Sequence, residues 1–153
     1  MGGFFTEQNN NFIQILNEYM SNLYVEVNNL YNMHFNVVGN KFLTLHTKLQ
    51  EYYENISLMF DNIAERIKML GGYPITSLIK IEETSTIKSM ISRDFNDKQV
   101  LEVLENDFQF LFDYTKDINI HFIKINDFYT SSILTNNLIF FEKKLWMIRN
   151  SLK

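Results

Sequence analysis

Residues 33–72 read MHFNVVGNKFLTLHTKLQEYYENISLMFDNIAERIKMLGG. Downstream of Gly39-Asn40 the side chains Phe42, Leu45, Leu49, Tyr52, Tyr53, Ile56, Phe60, Ile63, Ala64, Ile67 and Leu70 return every third or fourth residue, the period of one helical face. Gly71-Gly72 ends that helix, and Pro74, which has no amide hydrogen and clashes with the preceding turn, forbids its continuation. Upstream, Phe12, Ile15, Leu16, Tyr19, Met20, Leu23, Tyr24, Val27, Leu30 and Tyr31 repeat the spacing, so a first helix is expected from Phe12 to about Val38. Two long helices joined by a short glycine turn make an antiparallel hairpin.

The less regular segment 73–97 reads as a crossover, and its run IEETSTIKSMI (81–91) is expected to form a short helix of its own. Asn96 followed by Gln99 is a capping signal for a third long helix through Val100, Leu101, Leu104, Phe108, Leu111, Phe112 and Ile118. A break at Asn126-Asp127 precedes a fourth, bearing Ile133, Leu134, Leu138, Phe141, Leu145 and Ile148. Short, long, short is the connection order of a ferritin-like bundle. The chain is therefore expected to be all-α, a four-helix bundle with a long crossover carrying a short helix between the second and third helices.

A chain of 153 residues that is 46% hydrophobic and shows no internal shift of composition reads as one domain, 1–153, able to bury a sizeable core. Its 14 basic and 18 acidic residues leave a net charge of -4, so no positive field draws nucleic acid or anionic lipid. The stretch GGFFTEQNNN at the N-terminus has no Lys or Arg, and only Arg149 and Lys153 lie near the C-terminus. With no cysteine in the chain, thiolate metal sites and cysteine nucleophiles are excluded, and the composition fits a reducing compartment. No stretch approaches 18 uncharged apolar residues, and the N-terminus lacks the basic start and apolar run of a signal peptide. The expectation is a soluble, cytoplasmic protein with no membrane partner.

Within the opening stretch, His34 and His46 bracket the turn, and Asp61 and Glu65 form an i, i+4 pair on one face of the second helix. Imidazole with carboxylate is a ligand set that iron, zinc and manganese all accept. One straight chain cannot bring the four together, because at ~1.5 Å rise per residue Asp61 lies roughly 22 Å along the helix from His46, while ligands converge to about 2 Å from an ion. Either the two pairs serve separate sites, or a second copy of the chain, antiparallel across a two-fold axis, brings its carboxylates to the first copy's histidines. The second arrangement is the favoured expectation. Without such a context, a helical histidine such as His121 is an ordinary solvated or hydrogen-bonded side chain.

The stretch HFNVVGNKFLTLH (34–46), its spacing to DNIAERIKMLGG (61–72), and EKKLWMIRN (142–150) together resemble the Dps family, miniferritins named as DNA-binding proteins from starved cells. The resemblance spans nearly the whole chain. It implies ferroxidase ligands at His34 and His46 of one subunit and Asp61 and Glu65 of its two-fold mate, so the four are at once the metal-binding and the catalytic residues. It also implies a hollow homo-oligomer of twelve subunits that oxidises Fe(II), with hydrogen peroxide as the preferred oxidant, and stores ferric mineral. The iron is substrate and cargo, bound as Fe(II) and Fe(III), and the activity is that of a ferroxidase-type oxidoreductase in the oxidative stress response.

Three departures from the family pattern stand out. Phe35 occupies the position after the first histidine where the family commonly has tryptophan, while Trp146 matches the family's other aromatic residue near the iron. The acidic residues that in many members line a three-fold pore between the third and fourth helices are thin, NIHFIKINDFYTSS (119–132) offering Asp127 and little else. The lysine-rich tail by which some members bind DNA is missing, so no DNA partner is expected. Ordinary ferritins build their site inside one bundle from Glu-x-x-His motifs, and the chain contains none. The remaining alternative is a structural or DNA-compacting protein of the same fold without ferroxidase chemistry.

Overall fold

The computed structural model describes residues 6–153, in which five helices follow one another: α1 (Thr6–Asn36), α2 (Phe42–Met69), α3 (Leu78–Thr84), α4 (Asp97–Lys124) and α5 (Phe128–Ser151). Residues 1–5, part of the N-terminal stretch whose lack of basic residues entered the reading of DNA binding, lie outside the described residues. The hairpins α1–α2 and α4–α5 pack as the four long members of a bundle, with α3 in the crossover lying on α1. No strand occurs among the described residues.

Each boundary has a local cause. α1 begins before the expected Phe12 because its polar first turns bear no apolar stripe from which to read them. It stops at Asn36, short of Val38, because the backbone there is engaged elsewhere: Val38 N–H donates to Phe95 O (2.8 Å) and Phe95 N–H to Asn36 O (3.0 Å). This single bridge ties the end of the crossover to the end of α1. Gly39 then turns the chain at φ +106°, a left-handed conformation costly to any residue with a Cβ. The expected capping box opens α4, with Gln99 N–H donating to Asn96 Oδ1 (2.9 Å) and Asn96 N–H to Gln99 Oε1 (3.0 Å). At the α4–α5 corner Asn126 takes φ 61°, which asparagine tolerates.

The short crossover helix is a correction to the sequence reading. It occupies Leu78–Thr84, so only the first residues of IEETSTIKSMI are helical. From Ser85 onward the chain is extended, because side chains of α1 take over its backbone polar groups. Asn22 Oδ1 accepts from Thr86 N (2.9 Å) and Ile87 N (3.0 Å), and the Ser85 hydroxyl shares its one proton between Ile87 O (2.6 Å) and Asn22 Oδ1 (3.1 Å). Asn29 donates to Lys88 O (3.0 Å) and accepts from Met90 N (2.9 Å). At about 0.5–1.5 kcal/mol each, these bonds outweigh the weak intrinsic helicity of so short a segment.

The core runs the length of the bundle through Leu16, Met20, Leu23, Leu30, Leu49, Ile56, Ile63, Phe108, Phe122 and Phe141, all fully buried. One polar cluster sits inside it. Thr115 Oγ1 has a single proton, which goes to Leu111 O (2.5 Å), so the Tyr19 hydroxyl donates to Thr115 (2.9 Å) and accepts from Asn137 (3.0 Å). Burial pushes the Tyr19 hydroxyl up to about 12 against those hydrogen bonds, and it stays neutral.

Candidate metal centre

His34 stands in the last turn of α1 and His46 early in α2, so the hairpin turn brings them face to face. Each imidazole is fixed by the backbone beside the other: His34 Nδ1 donates to His46 O (2.8 Å), and His46 Nδ1 donates to His34 O (2.9 Å). A carbonyl oxygen only accepts, so each Nδ1 carries a proton, and in the neutral ring the lone pair is then on Nε2. That is the tautomer a metal ligand needs, fixed by an outer hydrogen bond of the kind that orients ligating histidines. The rings stack with centroids 3.7 Å apart and planes 20° apart.

Aromatic residues wall the pair. Tyr53 packs edge-on against His34 (5.3 Å between centroids) and stacks on Tyr31 (4.2 Å), while Phe42 stacks on His46 (5.1 Å). His34 is buried, His46 half-buried, and Phe35 is 69% exposed. Phe35 is exposed together with Tyr31, Val38, Phe42 and Leu43 at this end of the hairpin.

Asp61 and Glu65 lie on the same face of α2 and are exposed. Among the described residues neither makes a hydrogen bond or ion pair, unlike Glu51 on the same helix, whose carboxylate is held below the usual range by hydrogen bonds from Lys144 and Lys48. Arg66, next to Glu65, turns away from it. Its guanidinium meets Asp127 at 3.1 and 3.0 Å and Thr130 Oγ1 at 2.8 Å. The structure thus joins His34 with His46 and sets Asp61 beside Glu65, but does not join the two pairs. Fifteen residues of helix, roughly 22 Å, separate them, and no three His, Cys, Asp or Glu side chains among the described residues lie close enough to hold one ion.

Other motif positions have structural employment. Asp127 caps α5, accepting from Thr130 N (3.0 Å), and is ion-paired to Arg66. Burial alone would raise its carboxyl, but hydrogen bonds from Thr130 and Arg66 outweigh it and hold the group below its ordinary value. It is not a free acid at the α4–α5 corner, where the exposed side chains Ile120, Ile123, Ile125, Phe128 and Tyr129 stand with Lys124 and Asn126. His121 packs against Phe12 (5.3 Å) and Phe122 (6.0 Å), and its Nε2 is buried with no hydrogen-bond partner among the described residues, so it is a core-edge residue and not the solvated or hydrogen-bonded side chain expected. Trp146 is 64% exposed on α5. Sequence reading missed the reciprocal histidine–carbonyl bonds, because backbone acceptors leave no mark in a motif.

The model of the ferritin-like domain family matches residues 13–153. A DNA protection during starvation protein of Brevibacillus brevis is 33% identical over 134 residues, 88% of this chain and 89% of the relative. Among solved structures, antigen TpF1 from Treponema pallidum superposes with a TM-score of 0.93 at 26% identity, covering 100% of this chain and 99% of that one. The Dps protein from Vibrio cholerae O1, described as a member of a broad superfamily of ferritin-like diiron-carboxylate proteins, gives 0.91 at 27% identity over 95% of this chain and 91% of its own. No helix among the described residues is long and apolar enough to cross a membrane.

Proposed function

Because the chain belongs to the ferritin-like family and, within it, to the DNA protection during starvation (Dps) proteins, we propose that it stores and detoxifies iron as a homo-oligomer of twelve subunits, oxidising Fe(II) at sites shared between two-fold mates. The whole chain, 1–153, acts as one ferritin-like domain, and the absence of cysteine suits work in the cytoplasm. His34 and His46 of one subunit and Asp61 and Glu65 of its mate form the site, with iron as its substrate. The single observation that supports this most is the pair of imidazoles fixed through Nδ1, which leaves each Nε2 as the ligating nitrogen, with no third ligand among the described residues of the same chain.

Neutral imidazoles bind Fe(II), and the two anionic carboxylates favour the harder Fe(III), so oxidation is easier at the site than in water. Two Fe(II) each give one electron to hydrogen peroxide, which takes up two protons and leaves as two waters, so no hydroxyl radical is released. Stopped-flow oxidation at this imidazole–carboxylate site is expected to be faster with peroxide than with dioxygen, consuming Fe(II) and peroxide in a ratio of about two to one, since each Fe(II) gives one electron and peroxide takes two. Equal rates with the two oxidants would remove the peroxide part of the proposal.

Protection of DNA should be chemical. With a net charge of -4 there is no excess of cations to displace phosphate counterions, so a gel shift at about 150 mM salt and neutral pH is expected to show no complex. The same particles should still protect a plasmid from iron and peroxide. A retarded band in the absence of iron would contradict the charge argument.

A further inference from the structure

We propose that Glu26 of α1 and Asp107 of α4 share one proton, and that this acid pair latches the crossover and α4 onto α1, loosening as the proton leaves. Glu26 is fully buried, and neither of its carboxyl oxygens has a hydrogen-bond partner among the described residues. Its neighbour is another acid: Asp107 is close enough to bond to it once one of the two is protonated. Two carboxylates only accept, so without a proton this contact is bare repulsion in an apolar interior, whereas with one it is a hydrogen bond.

The position makes the pair a latch. Glu26 lies between Asn22 and Asn29, whose side chains hold the extended crossover to α1 through Thr86, Ile87, Lys88 and Met90. A groove of about 450 Å³ lined by Asn29, Thr86, Lys88, Met90, Asn106 and Asp107 runs over the same spot, so solvent reaches Asp107 while Glu26 stays beneath. Among the described residues no cation compensates the acids from any packed element. Lys88 of the crossover spends its ammonium on Glu82 O (2.6 Å) and Ser85 O (2.5 Å), and Glu82 is engaged by Ser89. Between its contacts with Tyr31 and Tyr24, α2 buries only Ile56 and Met59, and its Glu54 is exposed. α5 brings Phe141 against Phe108, with Glu142 and Lys143 exposed. A metal ion in place of the proton would find two acidic ligands only.

Burial, then the charge of Asp107, raises the Glu26 carboxyl well above its ordinary value. A carboxyl raised in the native state adds stability below its unfolded pKa, and loses it as pH climbs toward the native one. Hydrogen exchange read by mass spectrometry on the assembled particle tests this in peptides covering 85–90, each rate divided by the intrinsic rate at the same pH. In the wild type the opening of this segment should rise with pH above the carboxylate range, by up to about tenfold per unit. In Glu26→Gln, and in Glu26→Leu should the amide fold poorly, it should be flat and lower at alkaline pH. The same slope in wild type and variants would overturn the latch. Restoration of alkaline protection by millimolar magnesium or manganese in the wild type alone would equally overturn it, assigning the pair to a cation instead of a proton.

Discussion

Particles built only from His34→Ala subunits, or only from Asp61→Ala subunits, are expected to lose peroxide-driven Fe(II) oxidation, and particles co-assembled from both to regain roughly a quarter of the wild-type sites. In a mixed two-fold pair one site receives both defects. The other takes its histidines from the Asp61→Ala chain and its carboxylates from the His34→Ala chain, and is intact. Random pairing makes about half of the pairs mixed, each with one working site of two, hence the quarter. Pairs form during assembly, so the variants must be co-expressed, or dissociated and reassembled together, before initial rates are measured. A site inside one chain could never be rescued in this way. Co-assembled particles no more active than their parents would leave the histidines and carboxylates as two unrelated clusters, in keeping with their separation along α2.

That separation shows how far residue spacing alone can take the site. The turn at Gly39 and the period of α2 fix where His34, His46, Asp61 and Glu65 stand relative to one another, because helical rise converts residue number to distance. The capping box at Asn96 and the break at Asn126 were legible for the same reason, each resting on side chains a few residues apart. The crossover was not. Its conformation after Ser85 is dictated by Asn22 and Asn29, some sixty residues earlier in the chain, and a periodic scan reads those asparagines as interruptions of an apolar stripe. Glu26 was invisible likewise: a carboxylate in an amphipathic helix is read as solvated, and only packing shows it fully buried beside Asp107.

Glu65 and Arg66 make the sharpest contrast between site and scaffold, since adjacent residues on one helix are expected to fail in opposite ways. Though adjacent in sequence and opposite in charge, the two do not pair with each other. In the structure Arg66 instead crosses to Asp127 and Thr130, with only 15% of its side chain and 14% of Asp127's exposed. Arg66→Met keeps the aliphatic stem but strands a largely buried carboxylate, at a cost of about 3 kcal/mol. For a chain of this size that lowers the melting temperature by roughly 6–12 °C, compared at one protein concentration because assembly contributes to stability. Since Asp127 is held below its ordinary value, the ion pair stabilises at neutral pH. The gap between wild type and Arg66→Met should close as pH falls through the native pKa of Asp127. Glu65→Gln removes a charge that stabilises nothing in its own chain, so melting should move within about 0.5 kcal/mol of wild type. Its Fe(II) oxidation should nevertheless fall more than about tenfold, the least that loss of a metal-site group brings. A Glu65→Gln particle that oxidises iron at the wild-type rate would take Glu65 out of the site, and one that melts as early as Arg66→Met would make it scaffold instead.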